Sequence, residues 1–384
     1  MPITLLQPIM FGDTSDDLTD HAVAVSQDLS IVESPPWIVL LTFVGDSNAL
    51  LDHATGGADD LTLVGDIRFS NATLIGDAVT ITDHASGGND DLNPNGFLGI
   101  AILGDAITLS GHALGGNDTL SGAGTAYGDA ETIADHAQGG DDTISTTGAG
   151  FTRPGGTAYG DAETITDHGR GGNDLVTVNS YGAKAYGDAL TMSGFAVGGN
   201  DTVTANGLQG IAYGDAQTMT DHARGGDDVV TAMGFFFGSA AYGDAQELSG
   251  FAVGGNDTLI GGSTGIPMYG DGAELLDHAK GGNDTLISGP GNDQLWGDAA
   301  TVAPTAQTGA DTFVFSPPNG HDQIMDFQPG QDHIDLKAFA FGNFNDVASH
   351  IQDTPDGALI GFDAHDSILV VGVHQLNASD FILA

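Results

Sequence analysis

The dipeptide Gly-Asp recurs at Gly45, Gly76, Gly104, Gly128, Gly160, Gly187, Gly214, Gly243, Gly270 and Gly297, at intervals of 24 to 32 residues with 27 commonest. A self-similarity of this period marks a solenoid, in which one repeat buries its apolar face only by stacking on the next. Counting forward from each Gly as position 0, position +1 is always Asp: Asp46, Asp77, Asp105, Asp129, Asp161, Asp188, Asp215, Asp244, Asp271 and Asp298. Position +14 is also always Asp: Asp59, Asp90, Asp118, Asp142, Asp174, Asp201, Asp228, Asp257, Asp284 and Asp311. Position +16 is apolar throughout, from Leu61 to Phe313, and positions +11 and +12 are Gly-Gly in the first nine units. Length variation falls after +17, where coils can bulge.

The unit at 270–296 is the least altered. Residues 288–296, SGPGNDQLW, read as one nine-residue turn and strand. Gly is read as permitting a positive-φ turn, Asp293 faces the turn, and Leu295 points inward. Residues 270–287 read as the same nonapeptide, split after its third residue by nine inserted residues. Within the insert, small or apolar side chains fall at +2, +5 and +9, as in Ala78, Ile81 and Ala85. A spacing of three then four predicts a two-turn helix, with the +1 Asp as N-cap and the Gly pair at the C-cap. A third β face is the alternative.

Charge narrows the chemistry. The chain has 384 residues, 52 acidic against 7 basic, and a net charge of −45. Nucleic acid and anionic membranes need a basic patch, so neither is an expected partner. Fixed carboxylates with few basic neighbours call for hard cations, which take oxygen ligands. With 40% apolar residues the chain is no disordered acidic tail. It has no Cys, so thiolate sites and disulfides are excluded. The N-terminus lacks the basic and apolar segments of a cleavable secretory signal, and the apolar run 37–44 is too short to span a bilayer.

Two motifs carry a family likeness. Gly282-Asn283-Asp284-Thr285-Leu286 and Gly289-Pro290-Gly291-Asn292-Asp293-Gln294-Leu295 resemble the RTX, or haemolysin-type calcium-binding, nonapeptide. Gly309 to Phe315, Asp322 to Phe327 and Asp332 to Leu336 resemble the C-terminal module that follows RTX repeats in serralysin-type secreted proteins. The ending Asp380-Phe381-Ile382-Leu383-Ala384 is similar to an uncleaved type I secretion signal. The resemblance implies a right-handed parallel β-solenoid, or β-roll, of about ten coils with several Ca²⁺ ions in the turns. Export would run through the type I secretion machinery. The expected organisation is a degenerate N-terminal repeat or cap over 1–44, a repeat solenoid over 45–304, and a capping and secretion module over 305–384.

The +14 Asp column, with Asp293, is the expected calcium ligand set, and capping of its own turn is the metal-free competitor. The +1 column is either a second set of calcium ligands or a row of helix N-caps. Most second nonapeptides have lost their Asp (compare 205–213, ANGLQGIAY), so calcium should line mainly one edge. Position +8 carries His53, His84, His112, His136, His168, His222 and His278, but Phe195 and Phe251 in two units. A position that accepts Phe asks for a flat ring, so a partly buried stacked aromatic ladder is expected rather than a transition-metal site.

No catalytic residues are assigned. There is no His-Glu-x-x-His or Gly-x-Ser-x-Gly motif, and Arg68, Arg153, Arg170, Lys184, Arg224, Lys280 and Lys337 are scattered. The expected protein is a secreted or cell-surface, calcium-dependent structural repeat protein: a surface, matrix, filament or adhesive component that can self-associate. It stays unfolded where Ca²⁺ is scarce and folds outside the cell. A glycan- or ice-binding module and a polysaccharide-acting lyase or epimerase are the alternatives. The +15 Thr column is too interrupted for an ice-binding face.

Overall fold

Each coil turns three corners, because the nine-residue insert forms a β face of its own. The computed structural model describes residues 9–32, 41–64, 72–95, 100–122, 124–147, 155–234 and 238–384. Arg68, Arg153, the extreme N-terminus and the first half of the apolar run 37–44 lie outside them. Three sheets of 15, 13 and 10 strands run along the molecule. One coil contributes Thr157–Tyr159 to the first sheet, Ala162–Ile165 to the 10-stranded insert sheet, and Leu175–Asn179 to the 13-stranded sheet. The next coil repeats each in parallel register: Ala158 pairs Ala185, Ala162 pairs Ala189, and Val176 pairs Val203. The chain is thus a mainly β parallel solenoid of about ten turns.

The insert is a strand, not a helix. Among the described residues the single α-helix is Phe344–Ala348, in the C-terminal region. Isolated nine-residue helices are marginal and leave most end groups unpaired. Stacked inserts instead give each other parallel main-chain bonds along the whole array. The misleading spacing has a local cause. Positions +2 and +5 both point inward from one short strand, as Ala162 and Ile165 do at 0% exposure. A tight turn then brings the +9 Ala back inside, as at Ala137 and Ala223. Position +7 makes the turn with positive φ: 60° at Asp135, 59° at Asp167, and 71° at Gly194 and Gly250. This explains why +7 is Asp or Gly in the first nine units, residues that tolerate the left-handed region.

The repeat glycines have another role. Neither the position-0 Gly nor the +11/+12 pair has positive φ among the described residues. They are Gly because nothing larger fits. A methyl group on Gly187 would sit 1.6 Å from the Gly214 carbonyl oxygen and 2.2 Å from Asp201 Oδ2. Gly187→Ala is expected to cost about 3 kcal/mol or more through this overpacking, measured as denaturant unfolding with Ca²⁺ present.

Two apolar cores result. One lies between the first and 13-stranded sheets, lined by residues such as Ala185, Val203 and Leu286. The other fills the insert lobe, with residues such as Ala189, Met192 and Ala196. A third cluster covers the corner before each Gly-Asp: Tyr127, Tyr159, Tyr186 and Tyr213 stack at 4.8–5.0 Å. Burial pushes the phenol of Tyr159 up to about 12. This column, which continues to Trp296, was not singled out from the sequence.

At the N-terminal end, Ile9–Phe11 pairs in register with Leu41–Val44, so residues 9–32 contain a coil of the same type. At the other end, Ser367–Val371 joins the first sheet, and Gly357–Gly361 and Ile351–Thr354 continue it as an antiparallel edge. That arrangement blunts a strand edge that would otherwise invite pairing. Phe381–Ile382 is the last strand of the 13-stranded sheet. Within the tail motif Asp380 is 1% and Phe381 8% exposed, Ile382 and Leu383 are half-buried and Ala384 is exposed.

Candidate metal centre

Between the two cores runs a strip of buried carboxylates. All ten +1 Asp and all ten +14 Asp are 0–3% exposed. The strands on either side fix them, because each coil places the same positions directly above those of the last.

The +1 carboxylate closes the base of the insert. It accepts the +12 Gly N–H of its own coil at 2.5–2.9 Å, as Asp161 does from Gly172 and Asp215 from Gly226. It is a cap for a loop neck, not a helix N-cap. The +14 carboxylate forms a ladder: its Oδ1 accepts the +14 N–H of the preceding coil at 2.6–2.9 Å, from Asp59→Asp90 through Asp284→Asp311.

These bonds use only half of the acceptor capacity. Oδ2 of every +14 Asp is buried with no hydrogen-bond partner, and so is one oxygen of Asp46, Asp77, Asp129, Asp161, Asp188, Asp215, Asp244 and Asp271. The glycines bring main-chain carbonyls into the same strip. The Gly104 oxygen and Asp90 Oδ2 would meet a methyl on Gly76 at 1.8 and 1.9 Å, and the Gly57 oxygen one on Gly88 at 1.4 Å. Among the described residues no three acidic or histidine side chains form a metal-holding group. An ion here would draw one or two carboxylates and complete its shell with carbonyls, a donor set that suits a hard cation.

The electrostatics are severe. Burial raises the carboxyl groups, and neighbouring carboxylates raise most of them further: Asp59 to about 7 and Asp311 to about 9. Asp201 is held well above its ordinary value by burial, then by Asp188, Asp228 and Asp174. Asp257 is raised by burial, then by Asp244, Asp228 and Asp284. Two like charges ~4.8 Å apart repel by about 3–4 kcal/mol at an effective dielectric near 20. Repeated along two columns, that exceeds a typical net folding stability of about 5–15 kcal/mol.

Asp293 stands apart. It is buried, but Oδ1 accepts from Ile266 N and Oδ2 from Gly289 N, so neither oxygen is orphaned. Asp322 lies beyond it and accepts from Asp293 N, which makes a short column on a second edge. Three further Asp continue the columns beyond the ten-unit ruler, Asp13 at an exposed end. Asp13 accepts from Val25 N, Asp326 from Gly297 N and Asp298 N, and Asp332 from Asp311 N. Their signal was the Phe-Gly-Asp echo at 11–13 and the acidic residues of the tail motif, where insertions break the spacing.

The +8 rings stack as expected, with centroids 4.7–5.3 Å apart from His21 to His278. They stand outside rather than partly buried: Phe195 is 52% and Phe251 54% exposed. They sit on the outer turn beside the positive-φ residue, away from the carboxylate strip.

Searches of curated proteins and of solved structures return no match. Residues 164–383, more than half of the chain, match the family model described as peptidase M10 serralysin C terminal. With the parallel coils and aligned Asp columns already in place, the chain belongs to the serralysin C-terminal family.

Proposed function

We propose that the chain is a secreted calcium-binding structural protein whose solenoid folds around Ca²⁺ held along the carboxylate strip. The observation that carries this reading is the pair of buried Asp columns with unpartnered oxygens. The +1 and +14 carboxylates, with Gly carbonyls, would hold the ions, which neutralise charge that the protein leaves uncompensated. Asp293, with no free oxygen, is a weaker candidate. The match is to the C-terminal part of a peptidase family, so peptide hydrolysis is not carried over to this chain.

The proposed organisation keeps 1–44 as entry cap, 45–304 as the array and 305–384 as the capping and secretion module. The burial of Asp380 and Phe381 supports an order of events. A type I secretion tail would be readable only before folding, and low intracellular Ca²⁺ keeps the chain unfolded until export. The proposed role is a component of a surface, matrix or filament. Equilibrium dialysis with Ca²⁺, followed by circular dichroism, tests the central claim. The expected result is several ions per chain, taken up together with β structure. Uptake of one ion or none, or a fold indifferent to Ca²⁺, defeats it.

A second reading has a specific observation behind it. On the outer side of the insert sheet, Thr80, Thr108, Thr132, Thr164, Thr191 and Thr218 form an in-register column over six coils, bounded by Ala49 and Glu247. Two residues on stand Thr82, Ser110, Thr166, Ser193 and Thr220, with Ala134 the one exception. Such a two-column hydroxyl array suits ice or another crystalline surface. Thermal hysteresis and ice shaping by the Ca²⁺-loaded protein test it.

A further inference from the structure

The outer turn of the insert carries a pattern that the calcium reading does not use. Positions +7 and +10 vary together, and +8 follows them except at His112. Where +7 is Gly, +10 is aliphatic: Gly111 with Leu114, Gly194 with Val197, Gly250 with Val253. Where +7 is Asp, +10 is polar or basic, as in Asp167 with Arg170, Asp221 with Arg224 and Asp277 with Lys280. Through five consecutive coils the two types alternate strictly, and the stacked ring follows: His168, Phe195, His222, Phe251, His278.

The turn geometry explains only part of this. Positive φ at +7 selects Asp or Gly, and spacing the Asp residues apart relieves repulsion along the column. Neither effect asks for a large apolar side chain in water. Among the described residues, Phe195 and Phe251 are the aromatic members of the exposed large hydrophobic set, and Leu114 is 50% exposed. Nor does it explain the cations. Three of the chain's seven basic residues stand at +10 of alternate coils. Among the described residues the ion pairs are Lys337–Asp335 and His374–Asp353, so Arg170, Arg224 and Lys280 have no carboxylate within ion-pair distance.

We propose that this edge is a lateral interface between two copies of the chain, packed side by side about a two-fold axis parallel to the solenoid axis. Such an axis keeps the order of coils and reverses the order of columns across the edge. Coil then meets like coil, and +7 faces +10 of the partner. Asp167 would meet a second Arg170, Asp221 a second Arg224, and Asp277 a second Lys280, while the Phe195–Val197 and Phe251–Val253 coils meet their own copies. This is the self-complementarity that an isologous contact requires. The aromatic and arginine content is typical of interface centres. On a molecule of net charge −45, the Asp–basic coils of this edge are locally balanced, so association here avoids the general repulsion. The rings are held by stacking before contact, so little side-chain freedom is lost on docking.

Size fits a modest dimer. The five alternating coils span ~24 Å and the whole ladder of rings ~40 Å; at ~13 Å wide, from strand spacing and rise, the full strip would bury on the order of 1,000 Å² over both partners, near the low end for specific complexes. Association should therefore depend on concentration and weaken in high salt. The inference rests on the fold and this edge, and is independent of where calcium binds.

Sedimentation velocity on the full chain in Ca²⁺-containing buffer, over a wide concentration range, tests it. A monomer–dimer equilibrium is expected. The F195S/F251S double variant should weaken it about tenfold or more, and the R170D/R224D/K280D triple variant should abolish it by facing Asp with Asp. Both substitute exposed side chains, and unchanged circular dichroism checks that they fold. A wild-type protein that stays monomeric at all concentrations overturns the proposal. So does a dimer that both variants leave intact, or end-to-end particles in place of side-by-side ones. Polysaccharide binding by a monomeric wild type, lost in the same variants, assigns the edge to a glycan instead.

Discussion

Removing divalent cations at neutral pH is expected to unfold the solenoid as a whole, not merely loosen one loop. The two Asp columns run between both apolar cores, so every coil contributes uncompensated charge to the interior. With repulsion of about 3–4 kcal/mol per close pair, the apo fold cannot hold all of these groups ionised. Occupied sites act in the opposite direction. A site with an affinity on the order of 10⁻⁴–10⁻³ M contributes roughly 1–3 kcal/mol at about 10 mM Ca²⁺. Summed over several coils, that spans the difference between unfolded and stable. Addition of EGTA should therefore abolish the β signal in circular dichroism and raise the hydrodynamic radius several-fold towards that of an unfolded chain. Readdition of Ca²⁺ should restore both. Because coils stack one-dimensionally, the titration should be steep. A shallow, non-cooperative titration would argue for independent surface sites.

The second large effect is that protons should substitute for calcium. The strip carboxyls have ordinary values near 3.8 and are raised on folding, to about 6 at Asp46 and Asp105, about 7 at Asp59 and Asp244, and about 9 at Asp311. A raised acid holds more protons in the folded state than in the unfolded one. Its stabilising contribution is therefore full below about pH 4 and is lost as pH rises through about 6 to 9. Each titrating carboxyl changes stability by up to about 1.4 kcal/mol per pH unit. In protein stripped of metal the melting temperature should be highest near pH 5 and fall as pH rises, until no folded transition remains near neutral pH. With saturating Ca²⁺ the trend should flatten or reverse, because the ion binds the deprotonated form. Melts at matched ionic strength, of metal-stripped and of Ca²⁺-loaded protein, check this. Equal pH profiles in the two conditions would mean that protons and Ca²⁺ do not compete for the strip.

Much of this was legible in the sequence, and its limits are physical. Periodicity fixes which residues share a column, because stacked coils superpose equal positions. The ten-unit ruler thus located the +1 and +14 Asp and the +8 rings before any coordinates. Periodicity does not fix the cross-section of a coil. Whether +2, +5 and +9 lie on a helix or on a strand and its return depends on what the neighbouring coils offer the backbone. The strand wins because each insert finds main-chain partners in the next. The same dependence put the +1 Asp under the +12 Gly amide and moved the +8 ladder to the outside, whereas the Tyr column, one residue before each Gly-Asp, was open to the ruler. The Gly residues show it most directly: their identity is set by a carboxylate or carbonyl of another coil, not by their own dihedral angles. The sequence by itself determined the solenoid, its count of coils and its demand for cations, since these follow from repetition and charge. Only the tertiary structure decided the cross-section of each coil and what the insert forms, because that choice is made by contacts between coils some 27 residues apart.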